Sequence, residues 1–137
     1  MKIKLDEGAL MPTRAHDSDA GLDLYARRDQ IVPARGSAPF NTGVHFEIPR
    51  GTMGLVLPKS GLNVKNSVVA SLGVIDAGYI GSIVAKLYNH SKVDYEIKAG
   101  DKICQLVFVP IFTPVLEIVD ELGETERGDN GFGSSGR

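Results

Sequence analysis

An acidic and an aromatic side chain stand three positions apart in the segment 73–81, which reads GVIDAGYIG. The first apolar residues favour a strand, and Asp-Ala-Gly at 76–78 is typical of a turn, because Asp tolerates tight turns and Gly supplies positive φ. The pattern predicts a β-hairpin whose return strand runs over 80–88, with Asp76 and Tyr79 near its bend. Such a pair suits a small-molecule site. An equally good interpretation is that Asp76 only caps the turn.

The C-terminal segment 127–137 is rich in glycine yet carries one large aromatic residue, Phe132. Glycines let backbone N–H groups approach an anion, Arg127 can clamp phosphate, and the hydroxyl of Ser134 can donate a hydrogen bond. A single ring in a flexible tail also suits stacking on a base. Composition alone instead favours a disordered tail.

Two other stretches place polar groups beside predicted strands. Lys59, Ser60 and Gly61 follow a strand end and offer phosphate a cation, a hydroxyl and backbone donors, although a plain turn explains them as well. Asp23 lies in the middle of a strand predicted over 20–26. A carboxylate at such a position is usually solvated. The alternative is that Asp23 helps to hold a metal or a neighbouring basic residue.

The composition indicates one globular β domain. The chain has 137 residues, a common single-domain length, with 16 Gly and 7 Pro, which fits many short strands and turns. Short strands at 8–12-residue spacing predict an all-β sandwich or barrel without a helix of three turns. An apolar run over 103–112 is expected to be buried on both faces, against another sheet or subunit, and a last strand is expected over 115–119.

The net charge and the single cysteine indicate which binding partners and which cellular location to expect. The net charge is −2 without a basic run, so neither a large nucleic-acid surface nor a membrane surface is expected. Cys104 is the only cysteine and lies in an apolar run, so it reads as a small buried hydrophobe, and no disulfide within the chain is expected. The N-terminus carries no signal-peptide pattern. We expect an intracellular location: cytoplasmic, or the host-cell interior if the source is viral.

Five stretches, in order along nearly the whole chain, together resemble the motifs of the trimeric dUTPase (deoxyuridine triphosphate nucleotidohydrolase) family. They are 20–26 (AGLDLYA), 58–62 (PKSGL), 73–81 (GVIDAGYIG), 100–106 (GDKICQL) and 127–136 (RGDNGFGSSG). The resemblance implies a jelly-roll-like β domain over 1–122 and a C-terminal arm over 123–137. It also implies a homotrimer in which three subunits share each active site, the arm of one closing over a site formed by the other two.

The resemblance further implies a reaction, dUTP and water giving dUMP and pyrophosphate. Asp76 is implied as the general base that activates water for attack on the α-phosphorus, and Tyr79 as the residue that packs on deoxyribose and leaves no room for a ribose 2′-hydroxyl. Mg²⁺ is the implied cofactor, bound mainly by the triphosphate, with Asp23 acting indirectly, through water.

The other implied contacts are to phosphate and uracil. The backbone between Ala70 and Tyr79 reads uracil, Phe132 stacks on it, and Arg127 with Ser134 holds the γ-phosphate. The full set implied to bind substrate is Lys59, Ser60, Gly61, Ala70, Gly73, Val74, Tyr79, Gln105, Arg127, Phe132, Gly133 and Ser134.

Three positions depart from the family pattern. The family usually has Arg where Lys59 stands, and Lys keeps the charge but loses the two-pronged hydrogen-bonding geometry. It usually has a second Asp at the position of Gly78 and a polar or basic residue at that of Ile80. The tip of the predicted hairpin therefore carries less charge than the pattern leads one to expect.

Other functions fit the same scaffold. A dCTP deaminase needs a carboxylate that activates water at the base, and the segment 63–81 contains no Glu. A nucleotide-binding or regulatory module would keep the pocket without turnover. A capsid or lectin β-sandwich would explain the strands but not the five ordered motifs.

Overall fold

Short runs of alternating apolar and polar residues form strands that pair out of sequence order. The computed structural model of the protein describes residues 1–131. Within that range the chain forms eleven strands and one helix. In chain order these are β1 (Lys2–Leu5), β2 (Leu22–Tyr25), β3 (Gln30–Val32), β4 (Ser37–Asn41), β5 (Val44–Glu47), β6 (Thr52–Pro58), α1 (Ser60–Asn66), β7 (Val68–Ala70), β8 (Gly73–Ile75), β9 (Val84–Asn89), β10 (Tyr95–Ile97) and β11 (Lys102–Pro110).

The strands form two larger sheets and two separate pairs. The first sheet has the order β2-β11-β6-β8 and the second the order β4-β9-β7, while β1 pairs with β5 and β3 with β10. All of these pairings are antiparallel. Because neighbours in each sheet are distant in sequence, the chain crosses repeatedly between sheets, as a jelly roll does.

Apolar side chains from both larger sheets fill a single core. Among its most buried members are Leu24, Leu87, Ile103 and Leu106, each with 0% exposure. Phe46 and Phe108 close one side of this core edge to face, with ring centroids 5.3 Å apart. The core therefore fixes β2, β6 and β11, the strands that carry the polar groups described below.

The prediction of a β-hairpin over 73–88 is wrong, because its two strands do not pair with each other. Strand β8 pairs with β6, whereas β9 begins at Val84 rather than at residue 80 and pairs with β4 and β7. The chain thus makes a wider hairpin from β7 to β9, and β8 with the 76–83 loop is an excursion to the other sheet. The turn residues predicted the bend correctly, but three apolar residues cannot specify which sheet they join.

The turn predicted at 59–61 is the beginning of α1. Lys59 is its N-cap and Ser67, with φ 56°, its C-cap. None of the seven helical residues is fully buried, so no apolar periodicity marks the helix in the sequence. Within residues 1–131, no helix is long and apolar enough to cross a membrane.

Of the two apolar segments predicted as strands near the C-terminus, the first forms β11 and the second forms no strand. In β11, Ile103 and Cys104 are adjacent and both fully buried, which matches the expected burial on two faces, but residues 110–112 are exposed. The strand predicted over 115–119 is not formed. A strand needs a partner for its backbone groups, and here Val115 and Ile118 are 98% and 100% exposed.

Candidate active site

A buried carboxylate on β2 is held between two lysine side chains. Asp23 is 5% exposed. Its Oδ2 lies 2.8 Å from Nζ of Lys102, and its Oδ1 contacts Nζ of Lys59. Lys102 begins β11, which pairs with β2, and Lys59 directly follows β6, the other neighbour of β11. Asp23, Lys59 and Lys102 are called the lysine cluster below.

The lysines decide the charge state of this carboxylate. Burial by itself raises the pKa of Asp23, but hydrogen bonds from Lys102 and Lys59, together with their charges, outweigh burial and hold the pKa below its ordinary value. The hydrogen bond to Asp23 and the charge of Asp23 in turn raise the pKa of Lys102. Of the two roles considered for Asp23, the structure therefore supports the holding of basic residues.

Further predicted phosphate-binding residues lie beside the lysine cluster. Nε2 of Gln105 donates a hydrogen bond of 3.1 Å to the carbonyl oxygen of Pro58. Gly21 leaves the space that this amide fills, because a Cβ at that position would collide with Oε1 of Gln105. Ser60 and Gly61 are the first residues of α1, and both are exposed. This region thus presents cations, a hydroxyl and an amide together.

Asp76 and Tyr79 lie in one tight turn directly after β8, called the 76–79 turn below. The N–H of Tyr79 donates to the main-chain oxygen of Asp76 at 3.0 Å. The main chain therefore closes the turn, and the exposed carboxylate of Asp76 is not what caps it. The capping interpretation of Asp76 is therefore not needed to explain the turn, and its functional role stays a prediction.

The ring of Tyr79 is fixed by the residues that follow it. Its hydroxyl donates to the main-chain oxygen of Ser82 at 2.9 Å. The ring covers Gly81 so closely that a Cβ at Gly81 would collide with the phenol. Tyr79 nevertheless stays 45% exposed, so its orientation is set while part of the ring remains open to a ligand.

The lysine cluster and the 76–79 turn lie at opposite ends of strand β6. Ile75 pairs with Gly54 near the start of β6, and Lys59 follows the last residue of that strand. A strand rises about 3.3 Å per residue, so five residues along β6 separate the two levels by about 17 Å. One chain therefore does not bring Asp76 to the predicted phosphate-binding residues.

The predicted uracil-binding residues lie at strand edges. Ala70 ends β7 and is buried, while Gly73 and Val74 belong to β8. Strand β8 is the last strand of its sheet. On an antiparallel edge strand, alternate backbone N–H and C=O groups point away from the neighbouring strand. Of the adjacent residues Gly73 and Val74, which pair with Val56 and Leu55, one therefore turns its backbone groups away from β6.

The predicted residues of the tail are described only in part. Arg127 is exposed, and its Nε donates to the main-chain oxygen of Asn130 at 2.9 Å. Phe132, Gly133 and Ser134 lie outside the described residues.

The chain is similar to known proteins over nearly its whole length. The sequence model of the dUTPase family matches residues 7–136. The chain belongs to the dUTPase family. It is 47% identical over 133 residues to the deoxyuridine 5′-triphosphate nucleotidohydrolase of Solanum lycopersicum, covering 97% of this chain and 79% of that protein. It is 44% identical to that of Paramecium bursaria Chlorella virus 1, covering 97% and 94%.

Solved dUTPase structures share the fold. A point mutant of the Staphylococcus bacteriophage 80alpha dUTPase with dUpNHpp matches at a TM-score of 0.94 and 33% identity, covering 99% of this chain and 98% of that one. A mutant dUTPase of phage phi11 of S. aureus, with a structural Mg(II) ion, matches at 0.83 and 32%, covering 88% and 96%. The family and the all-β, jelly-roll-like fold predicted from the five motifs are thereby confirmed.

The chemistry of the lysine cluster bears on the magnesium predicted for this family. In the part of the chain that the structure describes, no group of three His, Cys, Asp or Glu residues could hold a metal ion. Both oxygens of Asp23 face ammonium groups, which repel a divalent cation. Asp23 therefore does not fit the role of a direct Mg²⁺ ligand.

Sequence reasoning missed Lys102. A carboxylate in the middle of a strand needs a cation nearby, and Lys102 is the basic residue of the motif 100–106, whose Gln105 lies opposite Asp23.

Cys104 lies in the same strand, β11. Burial, with the charge of Asp23 adding to it, raises the pKa of Cys104 to about 12. The thiol thus stays neutral, in agreement with its predicted role as a buried hydrophobe.

Proposed function

We propose that this protein hydrolyses dUTP to dUMP and pyrophosphate, which limits uracil incorporation into DNA and supplies dUMP for dTMP synthesis. The observation that carries this function is membership of the dUTPase family over residues 7–136. Relatives 47% and 44% identical over nearly the whole chain are dUTP nucleotidohydrolases.

Asp76 is the general base in this proposal. Its carboxylate is exposed at the end of β8 and is not needed to close its own turn. It takes a proton from a water molecule as that water attacks the α-phosphorus, and the bond to the pyrophosphate leaving group breaks. A positioned base of this kind contributes about 10²–10⁴-fold to the rate.

The triphosphate binds beside the lysine cluster. Lys59 supplies charge, Ser60 and Gly61 donate hydrogen bonds to phosphate oxygens, and Gln105 contacts the α-phosphate region. Asp23 fixes the ammonium group of Lys59. Since both of its oxygens are engaged by lysines, any contact of Asp23 with the metal is indirect, through water. Mg²⁺ bound to the triphosphate would offset its negative charge.

The nucleoside binds along β8 and the 76–79 turn. The backbone between Ala70 and Tyr79, including Gly73 and Val74 of the edge strand β8, reads the uracil edge. The ring of Tyr79, held by its hydrogen bond to Ser82, packs on deoxyribose and excludes a 2′-hydroxyl.

A homotrimer assembles the complete site. Supporting this, the lysine cluster and the 76–79 turn lie about 17 Å apart along β6 by strand rise. The segment after β11 also exposes Phe112, Val115, Leu116 and Ile118 at 87–100%, an apolar surface that suits burial against another subunit. Sedimentation equilibrium should give three times the chain mass of 14.7 kDa.

A C-terminal arm, residues 123–137 following a β domain of 1–122, closes this site. Arg127 and Ser134 hold the γ-phosphate, Phe132 stacks on uracil, and Gly133 lets the backbone approach the nucleotide. Truncation after Glu126 should leave the oligomer intact and strongly reduce turnover. Unchanged kinetics would reject the arm's role.

The test of the function is a turnover panel of dUTP, dCTP, UTP and dTTP with Mg²⁺, with pyrophosphate and ammonia measured in parallel. Pyrophosphate released from dUTP, and from none of the other three nucleotides, supports the proposal. Ammonia released from dCTP indicates a deaminase, and binding without product indicates a regulatory module.

We also propose a cytoplasmic or host-cell location, which rests on the single buried Cys104.

A further inference from the structure

The imidazole of His45 bridges two distant parts of the chain. Its Nδ1 lies 2.8 Å from the main-chain oxygen of Ile80, and its Nε2 lies 3.0 Å from Oδ1 of Asp6. Oxygen acceptors thus face both ring nitrogens, so both contacts are hydrogen bonds only when both nitrogens carry hydrogen. The side chain is 16% exposed, which shields these contacts from competition with water.

Asp6 gives His45 a fixed point of attachment. Nη1 of Arg27 lies 3.5 Å from Oδ2 of Asp6, and Nζ of Lys4 lies 3.9 Å from Oδ1. The backbone N–H of Asp6 donates to the oxygen of Gly43 at 2.9 Å. The carboxylate and the backbone of Asp6 are therefore both tied to other parts of the fold, and this anchors the Nε2 side of the His45 ring.

On its other side, the ring of His45 contacts through Nδ1 the loop that carries the proposed catalytic groups. Ile80 directly follows Tyr79, and its own side chain is 74% exposed, so it contributes little packing. The next attachments of the loop lie downstream, where the N–H of Gly43 donates to Oγ of Ser82 and that of Ile83 to the oxygen of Val44. On the downstream side of the 76–79 turn, His45 is thus the nearest of these contacts with the fold. On the upstream side, Ile75 pairs with Gly54 and Ala77 packs against the core.

We propose that His45 is a positioning residue for dUTP turnover, fixing the 76–79 turn through the carbonyl of Ile80. The proposal rests on the roles proposed above for Asp76 and Tyr79. His45 touches neither substrate nor water in it, and acts by keeping Asp76 at the attacking water. A displacement of about 1 Å in such a group lowers turnover by about 100-fold.

The direct test is His45→Phe, which keeps a planar ring and removes both hydrogen bonds. We expect kcat for dUTP to fall about 10–100-fold, with a smaller change in KM and an intact oligomer. His90→Phe is the matched control, because His90 is an exposed ring that stacks on Tyr88 away from the loop. If His45→Phe fails to fold, His45→Gln is measured instead, because glutamine keeps one donor. Its kcat for dUTP should lie between that of the parent protein and the value expected for His45→Phe.

A double-mutant cycle with Asp76→Asn separates positioning from general stability. If His45 acts through Asp76, adding His45→Phe to Asp76→Asn should lower kcat no further, whereas a structural role would lower it by the same factor in both backgrounds. Wild-type kcat in His45→Phe, or additive losses, would overturn the inference. Full activity of Asp76→Asn alone would instead reject the proposed role of Asp76.

Discussion

Nζ of Lys102 lies 2.8 Å from Oδ2 of Asp23, while Nζ of Lys59 contacts Oδ1 of the same carboxylate. Two lysines from different elements thus engage both oxygens, as the guanidinium of one arginine can do with its two-pronged geometry. Lys102 thus takes up the carboxylate oxygen that the ammonium group of Lys59 leaves free for it. Unlike the two arms of a guanidinium, the two ammonium groups belong to separate side chains.

This pairing predicts a specific dependence of stability on pH. The pKa of Asp23 is lowered from 3.8 in the folded chain, so the stabilisation it provides is complete above that unfolded-state value and disappears as the pH falls through the folded-state pKa. Asp23→Asn should lower the free energy of unfolding by about 1–3 kcal/mol near pH 7.

Denaturant unfolding of Asp23→Asn and the parent protein from pH 7 to pH 2.5 checks this. The difference between them should shrink on the acid side of the unfolded-state pKa. Asp17→Asn, in an exposed loop, should show little difference at any pH. A constant difference for Asp23→Asn across the whole range would contradict the role of the ion pairs.

Two glycines of one loop should differ sharply in their tolerance of alanine. A Cβ at Gly81 would collide with the phenol of Tyr79, whereas a Cβ at Gly78 meets no atom within 4 Å. Gly81→Ala should displace the ring and break its hydrogen bond to Ser82. We expect the preference for dUTP over UTP, measured as the ratio of kcat/KM, to fall about tenfold or more. Gly78→Ala should keep that ratio, and an equal loss in both variants would reject the packing argument.

The sequence predicted individual strands and turns better than it predicted strand pairing. The strand around Asp23 followed from alternation, the strand around Gln105 from a continuous apolar run, and the bend at Asp76 from turn residues. All three are local signals. The excursion of β8 to β6, the helix at Ser60 and the bridge of His45 to Ile80 depend on contacts between residues far apart in the chain. His45 lies 35 positions from Ile80, and no local pattern records such a contact.

Asp76→Asn tests the proposed base directly. The amide has nearly the shape of the carboxylate but cannot accept the proton of the attacking water, so kcat for dUTP should fall about 10²–10⁴-fold. Because the main chain closes the 76–79 turn, thermal unfolding should change little. Pyrophosphate release and a melting curve measured on the same sample distinguish a lost base from a lost fold. Near-wild-type turnover would remove Asp76 from the mechanism.

Mixing two inactive chains should restore activity. One chain carries Asp76→Asn, and the other carries Lys59→Met with Gln105→Leu, so each damages one end of β6. If a site takes its 76–79 turn from one subunit and its phosphate-binding residues from another, random assembly leaves about one quarter of the sites intact. Co-refolding the two chains and measuring pyrophosphate release from dUTP should therefore recover about a quarter of the parent activity.

The control for this mixture is a chain that carries all three substitutions. Mixed with either inactive chain, it should restore nothing, because no pair of subunits then combines an intact turn with intact phosphate-binding residues. Differently tagged chains show by pull-down that mixed oligomers have formed. If they form and activity stays absent, each site lies within one chain. Residues about 17 Å apart along β6 by strand rise would then have to be brought together by a rearrangement of the chain, because the folded chain keeps the two ends of β6 apart.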